Sequence, residues 1–392
     1  MSDPIVFALE ALDVAELTSV AGALGVEAPP DSSAAHLAGL IAAELRRRAG
    51  LPEARSLVEE PDAATRRSAL VSRLAEMVDK DRACPHRTLE GFTCGLPAVK
   101  GEERCSLHGG VDSSDLAVPA LGKLGTDTWP AIVRHLRLAS YDIDALGLDP
   151  VLAEIAWHLG NSLYFEYFRV RVEGIDHVPA TGPAVLAANH GGAAIPYDAV
   201  MLHLAVLNEP AVPRRVRVVG TEFFNLMPFV SHLYRKIGAA YASRQDARWV
   251  LGNGQLLGVF PEGVRGFQKP VSESYRLRRF GRGGFASLAS ESGASIIPVA
   301  ILGSEETHPA LFTSQALAKL VRTVFPEQRV DEMAVWVNPI PLPVRWMIRF
   351  LPPITTSPGD LDGLAALELA ERVRTQIQAA LDDMITLRGR PY

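Results

Sequence analysis

Cysteine is scarce in this chain of 392 residues, and all three examples fall between Cys84 and Cys105. An odd, clustered set argues against a disulfide framework. Long apolar runs are missing as well. A membrane-spanning helix needs about 20 mainly apolar residues, and charges, Gly or Pro interrupt every candidate stretch. The start, Met1-Ser2-Asp3-Pro4, lacks the basic region of a secretory signal. These absences lead us to expect a cytoplasmic protein, peripheral if it meets a membrane at all. A surplus of positive charge is also absent, with 39 Lys and Arg against 45 Asp and Glu. Residues 1–150 carry 15 basic and 23 acidic side chains, a net of −8, which leaves 24 and 22, a net of +2, for residues 151–392. The acidic first part disfavours nucleic acid as a partner. The second part suits an anionic surface better, so a membrane surface is a candidate partner there.

What is present centres on Ala187-Ala188-Asn189-His190-Gly191-Gly192-Ala193-Ala194-Ile195-Pro196-Tyr197-Asp198. Pro183 to Ala188 reads as a buried strand. Pro196 suits the first turn of a helix. A His and an Asp therefore stand where a strand stops and a helix starts, a place that exposes side chains on a rigid scaffold. Neutral imidazole can take a proton from a hydroxyl near pH 7, and a carboxylate can fix its tautomer. Eight residues of unbroken helix would hold His190 and Asp198 about 12 Å apart, so the Gly pair must fold back first. The same residues also fit a core histidine beside an acidic helix start.

Three further blocks follow. Gly238 to Ser243 ends a strand just before Arg244. Leu257-Gly258-Val259-Phe260-Pro261-Glu262-Gly263 runs from a strand into a turn bearing a carboxylate, with Val264-Arg265-Gly266 behind it. Ile296-Ile297-Pro298-Val299-Ala300-Ile301 reads as a strand interrupted by Pro. In this order the chain resembles the glycerolipid acyltransferase family, typified by lysophosphatidate acyltransferase, over roughly Phe165 to Met384. That family has a His-x4-Asp block, a block ending in Arg, a Phe-Pro-Glu-Gly block and a Val-Pro block. Here seven residues separate His190 from Asp198, as in a divergent branch whose first block contains Gly-Gly and Pro.

The resemblance implies transfer of a fatty acyl group from acyl-CoA or acyl carrier protein to a hydroxyl of a glycerolipid-like acceptor, in phospholipid biosynthesis, without a catalytic cofactor. It implies His190 as the base and Asp198 as its partner. Arg244 matches the residue that contacts acceptor phosphate, Glu262 and Gly263 help to hold the acceptor, Arg265 offers a second anion contact, and Pro298 shapes the acyl pocket. A lipid or thioester hydrolase and a noncatalytic lipid-binding scaffold are the competing readings.

The second strong signal is Cys84, nine residues, Cys94, ten residues, Cys105, two residues, His108. Three thiols and an imidazole can complete a tetrahedral zinc shell, and the spacing is similar to the WRC-type Cys3His motif. With no water-activating residue nearby, the zinc is expected to be structural. His86 is a substitute ligand, and three unrelated free cysteines are the alternative.

Strands alternate with helices through residue 304, so the expected fold is α/β, a mixed sheet flanked by helices, preceded by a small helical module and the zinc knuckle. The expected divisions are 1–80 (a helical module faintly similar to SAP-type modules, read as a docking unit for an unidentified protein), 81–112 (the knuckle), 113–150 (a linker and short helix) and 151–392 (the acyltransferase domain). Val151 to Phe168 reads as one helix packed on the core, Phe223 to Phe229 as a candidate acyl groove, and Ser274 to Gly284 as a basic, Gly-rich stretch suited to phosphate.

Overall fold

The computed structural model describes most of residues 13–49, 83–108 and 142–389. Stretches outside the description include 50–82, 111–134, 193–195, 221–229 and 325–331. The helix expected over 62–80, the linker over 111–128, most of the helix over 129–147 and the apolar segment Phe223 to Phe229 lie outside the described residues. The chain divides into two units, Met1–Met77 and Val78–Tyr392.

In the first unit, α1 (Val14–Ala23) and α2 (Ala34–Ala49) form a helix pair. Asp13 Oδ1 accepts from Glu16 N at 2.8 Å and Glu16 Oε2 accepts from Asp13 N at 2.9 Å, so two otherwise orphaned donors of the first turn are satisfied reciprocally. Ser33 Oγ accepts from His36 N at the start of α2. Leu17 and Ala21 bury against Leu37, Ala38 and Ile41.

The second unit continues, after the cysteine-rich segment, with α3 (Pro150–Asn161), β1 (Arg171–Glu173), β2 (Ala184–Ala188), α4 (Tyr197–Asn208), β3 (Val216–Gly220), α5 (Val230–Lys236), β4 (Ala240–Tyr241), α6 (Arg244–Gly252) and β5 (Leu256–Val259). Then come α7 (Val264–Phe267), α8 (Gly284–Glu291), β6 (Ser295–Leu302), α9 (Ser304–Thr307), β7 (Ala310–Ser314), α10 (Gln315–Val324), β8 (Met333–Trp336), β9 (Met347–Phe350) and α11 (Gly363–Arg388). Seven strands form one sheet in the order β1-β9-β6-β2-β5-β3-β4. Only β6 and β9 pair antiparallel; the other pairs are parallel. β7 and β8 make a separate antiparallel pair. The mixed α/β sheet expected from the alternation of elements is what the chain builds.

Both faces of the sheet are covered, which is why β2 is apolar at every position. Val185 and Ala187 point toward the core formed with α6, α8 and α11. Ala184, Leu186 and Ala188 point the other way, toward α4, Tyr164 and Phe168. The aromatic stretch after α3 differs from the single helix expected. The regular helix ends at Asn161 and widens into a π-helical turn, Ser162–Tyr167. That turn still buries Tyr164 on the core while Phe165 is exposed. Asp149 caps α3, its Oδ1 accepting from Val151 N and Leu152 N, both at 3.1 Å.

Pro298 does not interrupt its strand; β6 runs unbroken through it. The N and O of one residue leave a strand on the same side, and the Pro298 carbonyl accepts from Leu351 N at 2.9 Å. The missing donor therefore faces β9 just where that ladder ends, at Val299 opposite Phe350, so only one ladder bond is forgone.

Gly283, read from sequence as part of a phosphate-suited stretch, has a packing duty. It has φ +77°, and a Cβ on it would lie 2.5 Å from the Ala366 carbonyl oxygen of α11. Gly283→Ala is expected to cost about 1–3 kcal/mol through overpacking with added backbone strain, read as a lower urea midpoint at unchanged m-value.

Candidate active site

Three adjacent parallel strands, β5, β2 and β6, end side by side at one edge of the sheet. Glu262, His190 and Glu305 follow those ends within a few residues, so the topology alone gathers three ionisable groups there. Open α/β sheets bind ligands at such carboxyl ends. Asn189 stitches the edge, accepting from Ile301 N at 2.7 Å and donating to Ile301 O at 2.9 Å.

The Gly pair folds back as the spacing demanded. His190 Nδ1 lies 2.6 Å from Asp198 Oδ2, and Gly191 N donates to the same oxygen at 2.9 Å. Asp198 Oδ1 accepts from Ala199 N in the first turn of α4 at 2.8 Å. Asp198 is fully buried, whereas the His190 side chain keeps 14% of its surface exposed. A carboxylate at Nδ1 places the proton on that nitrogen and leaves the Nε2 lone pair available. Nε2 has no hydrogen-bond partner among the described residues. The ring is flanked by Phe260, 4.6 Å between centroids, and Phe267, at 4.9 Å. A Cβ at position 191 would lie 2.4 Å from Glu305 Cγ, so only Gly lets the backbone pass.

Glu262 acts on the backbone of this site. Its Oε1 accepts from His190 N at 3.0 Å and its Oε2 from Arg278 N at 2.7 Å. Behind it lies Lys269, whose Nζ is 3.4 Å from Glu262 Oε2 and 2.7 Å from Glu305 Oε1. Glu305 in turn accepts from Tyr275 N at 2.9 Å. Burial pushes the Glu305 carboxyl up from its ordinary range, and Lys269 opposes that shift. Lys269 and Glu305 were not singled out in the sequence. The available signal was a carboxylate just past the apolar run of β6, the position Glu262 occupies after β5.

The other expected site residues are dispersed. Gly263 has φ +60° and turns the chain into α7. Arg265 lies on α7 with Phe267, and its side chain is exposed. Pro298 is buried in β6 beside Ala187. Arg244 begins α6 beyond the edge strand β4 and pairs with Glu291 at the end of α8, as does Arg248. Among the described residues no hydrogen bond or ion pair links Arg244 to His190 or Asp198. The basic stretch near Tyr275 is tied down by backbone contacts: Gln378 of α11 accepts from Leu277 N and donates to Tyr275 O, both at 2.9 Å.

Cys84, Cys94, Cys105 and His108 converge, with ligand atoms all within 4.8 Å of one another. His108 Nδ1 lies 3.2 Å from Cys105 Sγ and 3.6 Å from Cys84 Sγ, and Cys94 and Cys105 Sγ are 4.0 Å apart. Zinc bonds of about 2.0–2.3 Å in a tetrahedron give ligand edges of about 3.3–3.8 Å, so the donor set fits that ion. The loops are set by Cys84 N to Leu96 O at 2.7 Å and Cys94 N to His86 O at 2.8 Å. Leu96 and Leu107 pack on Val151 and Ile155 of α3.

Comparison with known proteins adds the following. A family model described as Acyltransferase matches residues 169–302. Uncharacterized protein Rv0502 of Mycobacterium tuberculosis is 36% identical over 255 residues, which cover 64% of this chain and 71% of the relative. A human protein described as "DGAT1/2-independent enzyme synthesizing storage lipids" is 28% identical over 212 residues, covering 54% of this chain and 60% of that protein. Among solved structures, the 1-acyl-sn-glycerophosphate (LPA) acyltransferase PlsC of Thermotoga maritima aligns with a TM-score of 0.43 at 17% identity, covering 68% of this chain and 90% of that one.

Lys269 is the cation between two buried carboxylates. Lys269→Met is expected to destabilise the fold by about 3–5 kcal/mol, measured by urea denaturation, because it leaves Glu262 and Glu305 uncompensated.

Proposed function

The chain belongs to the glycerolipid acyltransferase family, and on that premise we propose that it moves a fatty acyl group from a thioester, acyl-CoA or acyl carrier protein, to a hydroxyl of a glycerolipid-like acceptor, with His190 as general base. The observation that carries this reading is the His190–Asp198 pair at the strand ends, with the His190 side chain still partly exposed. In the proposed sequence the acceptor hydroxyl gives its proton to Nε2 as its oxygen attacks the thioester carbonyl. Asp198 stabilises the imidazolium that forms. The tetrahedral intermediate collapses, the carbon–sulfur bond breaks, and the proton passes to the departing thiolate. The products are an ester and a free thiol, and no cofactor enters the balance.

Glu262 fixes the His190 backbone and thereby the angle of the ring; it is assigned to positioning as well as to the acceptor pocket. Arg265 and Arg244 are assigned to anionic groups of the substrates. For Arg244 this requires exchange of its ion pair with Glu291 for a phosphate. Pro298 and Gly263 are assigned to the shape of the cleft. The Cys84, Cys94, Cys105 and His108 cluster is proposed to hold one structural zinc ion, which would keep the loop-rich segment folded and take no part in acyl transfer.

Among the described residues no helix is long and apolar enough to cross a membrane. We assign the protein to the cytoplasm, where it is proposed to meet a membrane surface peripherally. Supporting this, Val271, Leu311 and Phe312 are all about half exposed, and β7 lies against the turn Val271–Glu273 that follows α7.

His190→Ala is expected to lower acyl transfer by at least about a thousandfold, on the scale of losing a general base, while circular dichroism stays unchanged and melting falls, because the buried Asp198 loses its imidazole partner. Retained turnover would remove His190 from the base role. Release of labelled free fatty acid independent of acceptor would indicate a hydrolase instead.

A further inference from the structure

His108 has two ring nitrogens, and only Nδ1 faces the thiols. Nε2 points the opposite way, to within 3.7 Å of Glu154 Oε1. Glu154 is no part of the cysteine-rich segment; it projects from α3, 46 residues after His108 in the chain, and is 3% exposed. His108 Nε2 and Glu154 Oε2 are both buried without a hydrogen-bond partner among the described residues. A buried carboxylate is costly unless positive partners surround it. Facing it are the Arg215 guanidinium, Nη2 at 3.8 Å, and two imidazole nitrogens, His86 Nε2 at 3.5 Å and His158 Nε2 at 3.7 Å. The His86 ring also stacks on His108 with 3.8 Å between centroids.

An imidazole that binds a metal through Nδ1 keeps its proton on Nε2, and the metal's charge makes that N–H a stronger donor. A carboxylate on the far side then fixes the tautomer, orients the ring and raises the basicity of the ligand. We propose that Glu154 is the outer-shell carboxylate of the knuckle's metal, so that the acyltransferase body completes a metal site the cysteine-rich segment supplies only in part. This inference rests on the zinc reading given above.

The link has a structural consequence. Helix α3 also packs on α4, which carries Asp198 at its start. Trp157 Nε1 donates to Asn208 Oδ1 at 2.8 Å, Asn208 Nδ2 donates to Asn161 Oδ1 at 2.9 Å, and Gly160 abuts Leu204. Arg215, next to β3, pairs with Glu90 of the cysteine-rich segment. The cysteine-rich segment is thereby tied to α3 and, through it, to the C-terminal end of α4.

The test uses the full chain, wild type and Glu154→Gln, in zinc competition against a chromophoric chelator. One zinc ion per chain is expected in both, with affinity about 10–100-fold lower in the variant. Melting with and without excess chelator separates metal positioning from packing. The two proteins should melt alike when stripped of zinc and differ when loaded. If Glu154→Gln does not fold, Glu154→Asp is measured in its place, with the affinity loss expected in the same direction. Equal affinities, a melting difference that persists undiminished without zinc, or a second bound zinc per chain would each overturn the outer-shell role. A wild type that binds no zinc would overturn the metal reading itself, and this inference with it.

Discussion

A buried carboxylate, Asp198, holds the loop after β2 closed. One of its oxygens faces His190 Nδ1 at 2.6 Å and takes the Gly191 amide at 2.9 Å. Without that double contact the Gly-Gly segment has no reason to bend back, and the imidazole has no fixed tautomer. The position of Asp198 in the first turn of α4 helps, since a negative group is favoured at a helix start. Its full burial makes the contact stronger than it would be in water. Everything proposed for the site depends on this contact surviving when substrates enter.

A second layer of charge supports the first. Glu262 holds the His190 amide, Lys269 stands between Glu262 and Glu305, and Glu305 holds the Tyr275 amide. Two carboxylates and one ammonium, all buried, connect the ends of β5 and β6 across β2. Such networks are costly to desolvate and costly to break. They are tolerated here because backbone N–H groups, from His190, Arg278 and Tyr275, donate to the remaining carboxylate lone pairs. The aromatic rings of Phe260 and Phe267, both packed close to the imidazole, limit the room it has to turn.

Much of this architecture could be read from the residues, and the reasons are local. An apolar run ending in Asn-His, and another ending in Phe-Pro-Glu-Gly, announce strand ends that carry polar groups. The sheet class followed from strands alternating with helices. The cysteine spacing announced a cluster, and the four side chains do converge. What stayed hidden depends on strand order. Nothing along the chain says that β6 lies beside β2 and β5 on the other side, so the approach of Glu305 to Lys269 was not legible. The pairing of Arg244 with Glu291 depends on how α6 meets α8, which periodicity does not encode. The unbroken course of β6 through Pro298 depends on where β9 stops. The role of Glu154 required seeing α3 against the cysteine-rich segment.

The proposed chemistry requires that an acceptor hydroxyl replace water as the nucleophile at this histidine. The direct measurement is simultaneous: thiol released from a labelled acyl-CoA and ester formed on a lysophospholipid, followed in one reaction with and without the acceptor. The account predicts that thiol appears only when acceptor is present and that ester accumulates in equal molar amount. Thiol release matched by free fatty acid, unchanged by omitting the acceptor, would contradict it.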